Sequence, residues 1–478
     1  MLDDKRAESL VLSFKDGIAL LEQPDGGTVL RSPDAEITLG RLSSEFRTAL
    51  HLLASGGATE EQLLDLVSHE RGGDGEVSKM SDYLRYFTQH GTLCHSITWN
   101  GSRLATLVPL APASCEIPDE PAPETHFVIS RFIYLRKDAG QFVLESSLAN
   151  AKIVLYDSRV ITLLNTLVKP SSLEDLYRAH KDIPCVSIAL FVRLLLRCQA
   201  LSQGGEQGYL EGETSALAQW EFHDLLFHTR SRLGRHANPY GATFRFRDKI
   251  APLPAVKAPP ASDGVVCLYA PDIQALCQND IPFTRVLEQR HSIRKHGEQP
   301  ITAEQLGEFL YRTARLRVLS DVTEEGYERS SRPYPNGGGC YELEFYVAVS
   351  VCEGLSPGLF HYCPKTHQLY RVAGWTNELN ELFERAYYAA DQQSLPRILI
   401  ILSARFQRVA WKYEAIAYAL VLKHVGVVYQ TMYLVATAMG LAPCALGGGD
   451  SDLFAAIART NYYAETSVGE FILGSKAA

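Results

Sequence analysis

Two hydrophobic patterns divide the first 110 residues into strands followed by helices. Apolar and polar residues alternate in two opening stretches, which predicts β-strands: VLSFKDGIALL and TVLRSPDAEITLG. Apolar residues recur every three or four positions in the next three, which predicts helices: SSEFRTALHLLA, ATEEQLLDLVS and SKMSDYLRYFTQHG. A hairpin follows, turned at Asn100-Gly101, a pair that favours a two-residue turn. Strands, three helices and a hairpin is the order of a winged helix-turn-helix.

Strands followed by three helices return before residue 206, without a second hairpin, so the two segments resemble weak copies of each other. Strands are predicted in RFIYLRKDAGQFVLES and AKIVLYDS, and helices in RVITLLNTLV, SSLEDLYRA and SIALFVRLLLRCQA. We therefore predict two winged-helix-like modules, at residues 1–110 and 123–205. Such a surface can hold an extended peptide as an added strand. The alternative is a pair of small α+β domains with no binding role.

Proline-rich stretches at residues 109–123 and 251–264 interrupt these patterns, because proline resists helix and sheet interiors. We predict that residues 206–262 form a linker with one helix. Residues 263–478 mix helical and strand-like segments, including a long apolar helix over residues 411–441. They predict one α+β domain with enough residues for its own core.

Charge, cysteines and histidines narrow the function classes. The net charge of −9 gives no basic footprint for nucleic acid, and the acidic, polar start predicts no signal peptide. Ten scattered cysteines without a C-x-x-C pair predict free thiols and a cytoplasmic protein. His223 and His228 are five residues apart, a poor fit to a metal pair, so no metal site is predicted. The uncharged run 425–449 could span a membrane by length, but its polar residues and glycines favour a buried core helix followed by a turn.

Three short motifs after residue 263 suit contact with a ligand. The first is RHSIR at residues 290–294, where two guanidinium groups and a hydroxyl suit a phosphate or a heterocycle edge; a solvated basic helix face is the plainer interpretation. In RPYPNGGGCY at residues 332–341, prolines direct the chain and glycines let the backbone approach a flat ligand; a simple turn is the alternative. In GGGD at residues 447–450, exposed backbone N–H groups could hold an anion.

Lys412 and Tyr413 stand side by side where the most apolar stretch of the chain begins. Adjacent side chains diverge on a helix, so a salt bridge and a packed ring would be a purely structural explanation. Near a pocket, a positive charge beside a desolvated tyrosine can lower the pKa of the phenol toward use as a base.

Taken in order, these motifs resemble those of the nitroreductase-like flavoproteins of the SagB/ThcOx type. These are the azoline oxidases of thiazole- and oxazole-forming, cyanobactin-like ribosomal peptide biosynthesis. The resemblance rests on RHSIR, RPYPNGG, GLFHY, WKY and GLAPCALGG, and it extends through WEFHDLLFHTRSR at residues 220–232 to the two N-terminal modules. It implies an α+β protein with a nitroreductase-like FMN domain at residues 263–478, preceded by two winged-helix-like peptide-binding modules.

The family binds FMN at a homodimer interface, and its contacts carry over motif by motif. The implied FMN contacts are Arg290, His291, Ser292, Arg294, Pro335, Asn336, Gly337, Gly338, Gln430, Leu446, Gly447, Gly448 and Lys476. Lys412 and Tyr413 match the family's catalytic pair. The implied reaction moves a proton from the azoline ring carbon to Tyr413, with Lys412 stabilising the phenolate, and a hydride to flavin N5, after which oxygen reoxidises the flavin. The family pattern G-H-x-x-Q-N is not kept, since residues 426–431 read GVVYQT.

The implied substrate is an azoline-containing peptide, with thiazolines oxidised more readily than oxazolines. A second copy of the chain and a cyclodehydratase are the partners that the resemblance suggests. Two other functions stay open: a general NAD(P)H-dependent nitro- or quinone reductase, and a non-catalytic peptide-binding scaffold for a cyclodehydratase. The two N-terminal modules argue against the first, and the intact Lys412-Tyr413 pair argues against both.

Overall fold

Two antiparallel sheets, each with its own helices, organise the chain. The computed structural model describes residues 8–24, 26–32, 36–69, 73–111, 116–204, 216–236 and 239–477. The chain forms two compact units, and the boundary between them lies between residues 238 and 239. The nine cysteines within the described residues are free thiols, and Cys115 lies outside those residues.

The first unit follows the predicted order of strands and helices in both copies. Its strands are β1 (Glu8–Phe14), β2 (Ala19–Glu22), β3 (Thr28–Arg31), β4 (Glu36–Gly40), β5 (Ala58–Thr59), β6 (Leu93–Trp99), β7 (Ser102–Pro109), β8 (His126–Ile129), β9 (Ile133–Asp138), β10 (Gln141–Ser146), β11 (Ala151–Leu155) and β12 (Leu201–Gly204). Its α-helices are α1 (Ser44–Ser55), α2 (Glu60–Ser68), α3 (Gly73–Gln89), α4 (Ser158–Thr166), α5 (Leu173–Ala179), α6 (Cys185–Arg197) and α7 (Phe222–Arg230).

One seven-stranded sheet runs through both copies in the first unit, in the order β5-β1-β6-β7-β11-β10-β9. The copies join where Ala151 to Leu155 of β11 pair with Pro109 to Ala105 of β7. Helices α1–α3 enclose one buried core around Phe46 and Phe87, and α4–α6 enclose another around Phe191. The predicted hairpin turn is present, with Asn100 and Gly101 both at positive φ, as that turn requires.

The second unit is a sheet covered by helices on both faces. Its strands are β13 (Gly241–Ala242), β14 (Val265–Cys267), β15 (Val318–Val322), β16 (Glu328–Ser331), β17 (Leu343–Val349), β18 (Gly358–Cys363), β19 (Gln368–Ala373), β20 (Ile398–Arg405), β21 (Tyr413–Glu414), β22 (Leu441–Leu446) and β23 (Glu465–Ser475). Its helices are α8 (Ile273–Asn279), α9 (Phe283–Gln289), α10 (Ala303–Ala314), α11 (Asn377–Ala389), α12 (Phe406–Ala410), α13 (Ala417–Ala438) and α14 (Ser451–Ala458).

The central sheet of this unit has the order β14-β19-β18-β17-β20-β23-β22. Its middle strands β17 and β20 are buried along their whole length, because helices pack on both sides. Helices α10 and α13 lie over one face, and α11 and α14 over the other. The ends of these strands and the loops between them position the candidate site.

The long apolar helix differs from its prediction in extent and in burial. It covers Ala417–Ala438 rather than residues 411–441, and strand β22 occupies part of the run expected to be helix and turn. Length and composition alone would let α13 cross a membrane, a test that a core helix also passes. One stripe of α13 is buried on the sheet, whereas Tyr418 and Leu422 are 48% and 40% exposed. The helix is therefore buried on one side and exposed on the other within the single chain.

The second proline-rich stretch is held against the sheet by arginines that bind its carbonyl groups. Arg405 donates to the carbonyls of Pro254 and Ala255, and Arg408 donates to that of Leu253. Buried main-chain carbonyls without strand partners need such donors. The stretch is therefore part of the second unit and is held on its surface by these hydrogen bonds.

Candidate active site

Lys412 and Tyr413 lie in a turn and a short strand just before α13. Tyr413 pairs with Ala242 in the two-stranded β13–β21 ladder, and the Phe244 amide donates to the Lys412 carbonyl at 3.2 Å. Ala415 has φ +62°, a left-handed conformation that separates this short strand from the start of α13. The pair thus does not lie on a helix, and residues 241–244 hold its backbone in place.

The Lys412 ammonium group is buried among aromatic rings. Its Nζ donates to the Tyr327 hydroxyl at 2.5 Å and lies 4.9 Å, 5.3 Å and 5.7 Å from the ring centres of Tyr327, Tyr413 and Phe244. Burial is the largest single influence on the pKa of Lys412 and lowers it, but the hydrogen bond to Tyr327 and the nearby Tyr327, Tyr413 and Cys340 together outweigh burial, and the pKa is raised. Lys412 is therefore a positive charge at neutral pH.

Tyr413 is half-buried, and the Lys412 charge also acts on its phenol. Burial raises the pKa of Tyr413, and the neighbouring Lys412 ammonium opposes this rise without cancelling it. The expectation that the adjacent lysine lowers the phenol pKa below its usual value is therefore wrong, since desolvation is the larger effect. At neutral pH most of Tyr413 is protonated.

The glycine loop of the second motif lies directly against this pair. Gly338 has φ +65°, and a Cβ added there would lie 2.6 Å from Tyr413 Oη and 2.7 Å from Lys412 Nζ. A side chain at this position would displace both groups, and L-residues rarely adopt that φ. The fold thus brings together two motifs that are more than seventy residues apart in the chain.

His424 of α13 anchors this loop from the opposite side. Its Nε2 accepts from the Gly337 amide at 2.8 Å, so its proton is on Nδ1, which donates to the buried Glu342 at 2.7 Å. Glu342 also accepts from the Asn336 side-chain amide at 3.0 Å, and the Asn336 oxygen accepts from the Tyr341 amide. Asn336 is therefore part of the scaffold of the loop, and Pro335 beside it is exposed.

Replacing His424 by Ala should loosen this loop. The Gly337 amide and one carboxylate oxygen of Glu342 would lose their partner, and each unsatisfied buried group costs about 1–3 kcal/mol. We expect a lower melting temperature in thermal unfolding and faster hydrogen exchange at the Gly337 amide. Lys423→Ala, one residue earlier and exposed, is the matched control and should change neither. Unchanged exchange at Gly337 in His424→Ala would contradict the anchoring role.

The first motif follows α9 and is not helical, so its arginines do not form the helix face considered from sequence. Ser292 Oγ bonds the Tyr433 hydroxyl at 2.7 Å, and Tyr433 accepts from the Ala445 amide at 2.8 Å. The Arg290 guanidinium lies 5.4 Å from the centre of the Tyr433 ring. These contacts fasten the motif to the end of β22, close to the third motif.

The remaining predicted contacts surround this end of β22. Arg294 pairs with Asp391 at 3.2 Å, and His291 is exposed, with Nδ1 bonded to the Gln289 carbonyl. Leu446 is buried at the end of β22, and Gly447 and Gly448 have open space where a Cβ would stand.

Lys476 and Gln430 complete the set of predicted FMN contacts. The exposed Lys476 follows β23, and its carbonyl would lie 2.4 Å from a Cβ at Gly297, shortly after the first motif. Gln430 is exposed on α13.

The residues of the candidate site form two groups, which contact α13 at two different positions. The glycine loop, which lies against Lys412 and Tyr413, contacts α13 at His424, whereas the first motif contacts it at Tyr433. Nine residues of α-helix separate these two positions by about 14 Å. Each group is built within one chain, and no hydrogen bond or ion pair among the described residues joins the two.

The sequence interpretation missed Tyr327, Phe244, Glu342 and the role of His424. Tyr327 and Phe244 lie outside every motif and reach Lys412 only through tertiary structure. His424 had a signal, since a histidine near Gly426 is part of the family pattern, but its spacing differs. The structure shows that a histidine on α13 still meets the glycine loop.

Comparison with protein families matches three successive parts of the chain. Residues 7–117 match the ThcOx helix turn helix domain, residues 127–237 match the family described as cyanobactin oxidase ThcOx, and residues 287–474 match the nitroreductase family. These matches confirm the predicted family resemblance, the helix-turn-helix character of the N-terminus and the nitroreductase-like C-terminal domain.

Single relatives cover between about two fifths and half of the chain. A Methanocaldococcus jannaschii protein named as a nitroreductase is 29% identical over 183 residues, which are 38% of this chain and 83% of that protein. A solved structure from Ralstonia eutropha, also named as a nitroreductase, is 21% identical and covers 50% of this chain and all of that one, with a TM-score of 0.36. The Escherichia coli microcin synthetase McbBCD complex with truncated pro-MccB17 is 19% identical over 53% of this chain and 91% of the matched chain, with a TM-score of 0.35.

The three family matches together cover most of the described residues and both units. Two of them are parts of one kind of oxidase, and the third is a family of reductases. The chain is therefore an oxidoreductase with the domain organisation of the ThcOx-type cyanobactin oxidases.

Proposed function

We propose that this oxidoreductase is an FMN-dependent dehydrogenase that oxidises azoline rings in a ribosomally made peptide to azoles. Thiazolines are the preferred rings, and oxazolines are a second class. The observation that carries the proposal is the cluster of a buried ammonium, a half-buried phenol and a glycine backbone at one point. A positioned base beside a fixed positive charge suits removal of a proton from a carbon atom.

The residues around the end of β22 suit the phosphate and pyrimidine ends of FMN. Arg290, Arg294 and Lys476 supply positive charge, and Ser292 supplies a hydroxyl. Arg290 forms no ion pair among the described residues, so its charge is available to an anion. The open space in front of Gly447 and Gly448 lets a flat group approach the backbone. When bound, FMN supplies the electron sink that takes up two electrons and one hydrogen from the substrate.

The protein residues handle the proton of the reaction. The azoline ring carbon next to the carbonyl carries the acidic hydrogen, and the Tyr413 phenolate would accept it. Lys412 stabilises that phenolate and the negative charge developing on the substrate, because a fixed charge in a partly dry site acts strongly. Gly338 keeps the space beside both groups free of a side chain. Oxygen is the final electron acceptor, and it leaves as hydrogen peroxide.

A homodimer would complete each site. The two groups of residues lie about 14 Å apart along α13, and the half-exposed Tyr418 and Leu422 form an apolar face on that helix. Pairing two chains through this face would bury it and would set the groups of one chain near those of the other. This arrangement agrees with the family's cofactor at a dimer interface.

The first unit would bind the peptide. Its large sheet ends at β9, which is paired on one side only among the described strands. An extended peptide can add to such an edge through backbone hydrogen bonds. A cyclodehydratase that makes the azoline would be the partner enzyme.

Three outcomes separate the proposed function from its alternatives. We expect the purified protein to be yellow, to release FMN on denaturation, and to remove the mass of two hydrogen atoms per ring from an azoline peptide with oxygen alone. Mass spectrometry of the peptide measures this change, and a peptide without azoline rings is the control. A strict requirement for NAD(P)H with quinones or nitro compounds as acceptors would favour the general reductase. A colourless protein that still binds the peptide would favour the scaffold.

A further inference from the structure

Tyr327 is a buried phenol at the end of the turn that joins β15 to β16, and three groups converge on its hydroxyl. Lys412 Nζ donates to it at 2.5 Å and Arg329 Nε at 3.1 Å, and the hydroxyl donates to the Gly338 carbonyl at 3.1 Å. The ring is 2% exposed. No sequence motif and no family contact named above includes this residue.

These three contacts use the full bonding capacity of the hydroxyl. A phenol offers one O–H donor and accepts through its oxygen lone pairs. With two cationic donors and one carbonyl acceptor in place, the direction of the O–H bond and the position of the oxygen are both set. The oxygen is therefore a fixed point between a flexible lysine and the backbone of the glycine loop.

The rings around Lys412 restrict where its ammonium group can move. The Tyr327 ring is the nearest of the three, at 4.9 Å, and Phe244 and Tyr413 lie on other sides. Aromatic faces attract a cation but do not direct it to a single point, whereas a hydrogen bond does. The four-carbon stem of lysine leaves its end mobile unless an acceptor holds it.

We propose that Tyr327 is a positioning residue, which holds the Lys412 ammonium against Tyr413 and links both to the Gly338 backbone. The role of this contact in catalysis rests on the proposed function, but the contact itself does not. The hydrogen bond to Tyr327 also favours the charged form of Lys412, which burial alone would disfavour. Without the hydroxyl, the Lys412 ammonium would lose its fixed direction and one hydrogen bond that stabilises its charge, and Tyr413 would lose a fixed position of the charge that favours its phenolate.

Tyr327→Phe tests this proposal, since it keeps the ring and removes only the hydroxyl. The first measurement is competitive labelling of lysines with acetic anhydride at several pH values, with Lys412 followed by mass spectrometry. We expect the labelling rate of Lys412 to rise about tenfold in the variant, the change that loss of one hydrogen bond from a charged group implies. Equal Lys412 labelling in the variant and the natural protein would overturn the proposal.

The second measurement is azoline oxidation by the same variant. We expect kcat to fall about tenfold, less than the roughly hundredfold or larger contribution of a group that itself transfers the proton, because Tyr327 acts through Lys412. KM should change little, and the dependence of kcat/KM on pH should shift to higher pH. Tyr362→Phe is the matched control, because Tyr362 is equally buried and its hydroxyl bonds His367 instead. It should change neither labelling nor kcat.

The design separates failure of this proposal from failure of the proposed function. If the natural protein does not oxidise azolines, the function is wrong, but labelling still tests the contact. If Tyr327→Phe does not fold, the natural protein still provides a test: Lys412 must be labelled more slowly than the exposed Lys423 of α13. Equal rates for these two lysines would show that Lys412 is not held and would overturn the proposal.

Discussion

Tyr413→Phe should lose azoline oxidation while keeping FMN. The substitution removes one oxygen atom from a half-buried ring, so the fold and the residues around the end of β22 are unaffected. Without the oxygen no base faces the substrate carbon, and positioned bases contribute about 10²- to 10⁴-fold to rates. Mass spectrometry of an azoline peptide measures the loss of oxidation. The flavin absorbance of the purified variant measures whether FMN is kept.

Tyr370→Phe is the control for this substitution. Tyr370 is also partly buried in the second unit, but its hydroxyl bonds Gln368 on β19, among residues that form no part of the candidate site. It should retain activity within about twofold, as expected for a change away from reacting groups. Normal turnover by Tyr413→Phe would show that another group removes the proton.

The rate of the natural enzyme should also depend on pH in a direction that the site predicts. Burial raises the pKa of Tyr413 above its usual value near 10, against the opposing effect of Lys412. The active phenolate is therefore a small fraction at neutral pH, and this fraction grows as pH rises toward the raised pKa. We expect kcat/KM to rise across the neutral and mildly alkaline range, and this rise to be absent from the residual activity of Tyr413→Phe.

Gly338→Ala should have the second-largest effect, by displacing Lys412 and Tyr413. The new methyl group would lie within 2.7 Å of both Tyr413 Oη and Lys412 Nζ. These are the ends of side chains, so they would move before the backbone does. A misplacement of about 1 Å can cost about a hundredfold in rate, and we expect a loss of that order in azoline turnover.

The cost in stability should be much smaller than the loss of activity. An L-residue at φ +65° costs about 1–2 kcal/mol, which thermal unfolding can measure. Gly374→Ala is the control, since no atom lies within 4 Å of a Cβ there and its φ is outside the left-handed region. If Gly338→Ala oxidises azolines at the natural rate, the pair does not act from the position described.

The helices and strands of the first unit illustrate what local pattern can determine. Thr59 and Ser172 begin α2 and α5 with capping boxes, and both starts are visible in the sequence as a hydroxyl followed by acidic or amide residues. Apolar residues three or four positions apart then form the face of each helix that packs against its core. These signals lie within a few residues of each other, so they can be recognised in the sequence without knowledge of the fold. The joining of both copies into one sheet depends on β7 and β11 meeting, and no local signal specifies it.

The conformation at Lys412 illustrates the opposite case. The apolar period of α13 suggested a helix from residue 411, but the chain there turns and pairs with residues 241 and 242. Partners from distant parts of the chain supply the hydrogen bonds that a helix would otherwise provide, so tertiary contacts overcome local propensity.

The sequence by itself determined the order of the helices and strands, the two N-terminal copies and the motifs, while the choice of Lys412 and Tyr413 rests on the family resemblance and stays a prediction. The order, the copies and the motifs depend on hydrophobic period, capping and residue chemistry at short range. Only the tertiary structure decided that Tyr327 and Phe244 surround Lys412, that His424 anchors the glycine loop, and that burial raises the phenol pKa. Each of these depends on which distant side chains share a small volume from which water is excluded, and a single sequence does not contain those distances.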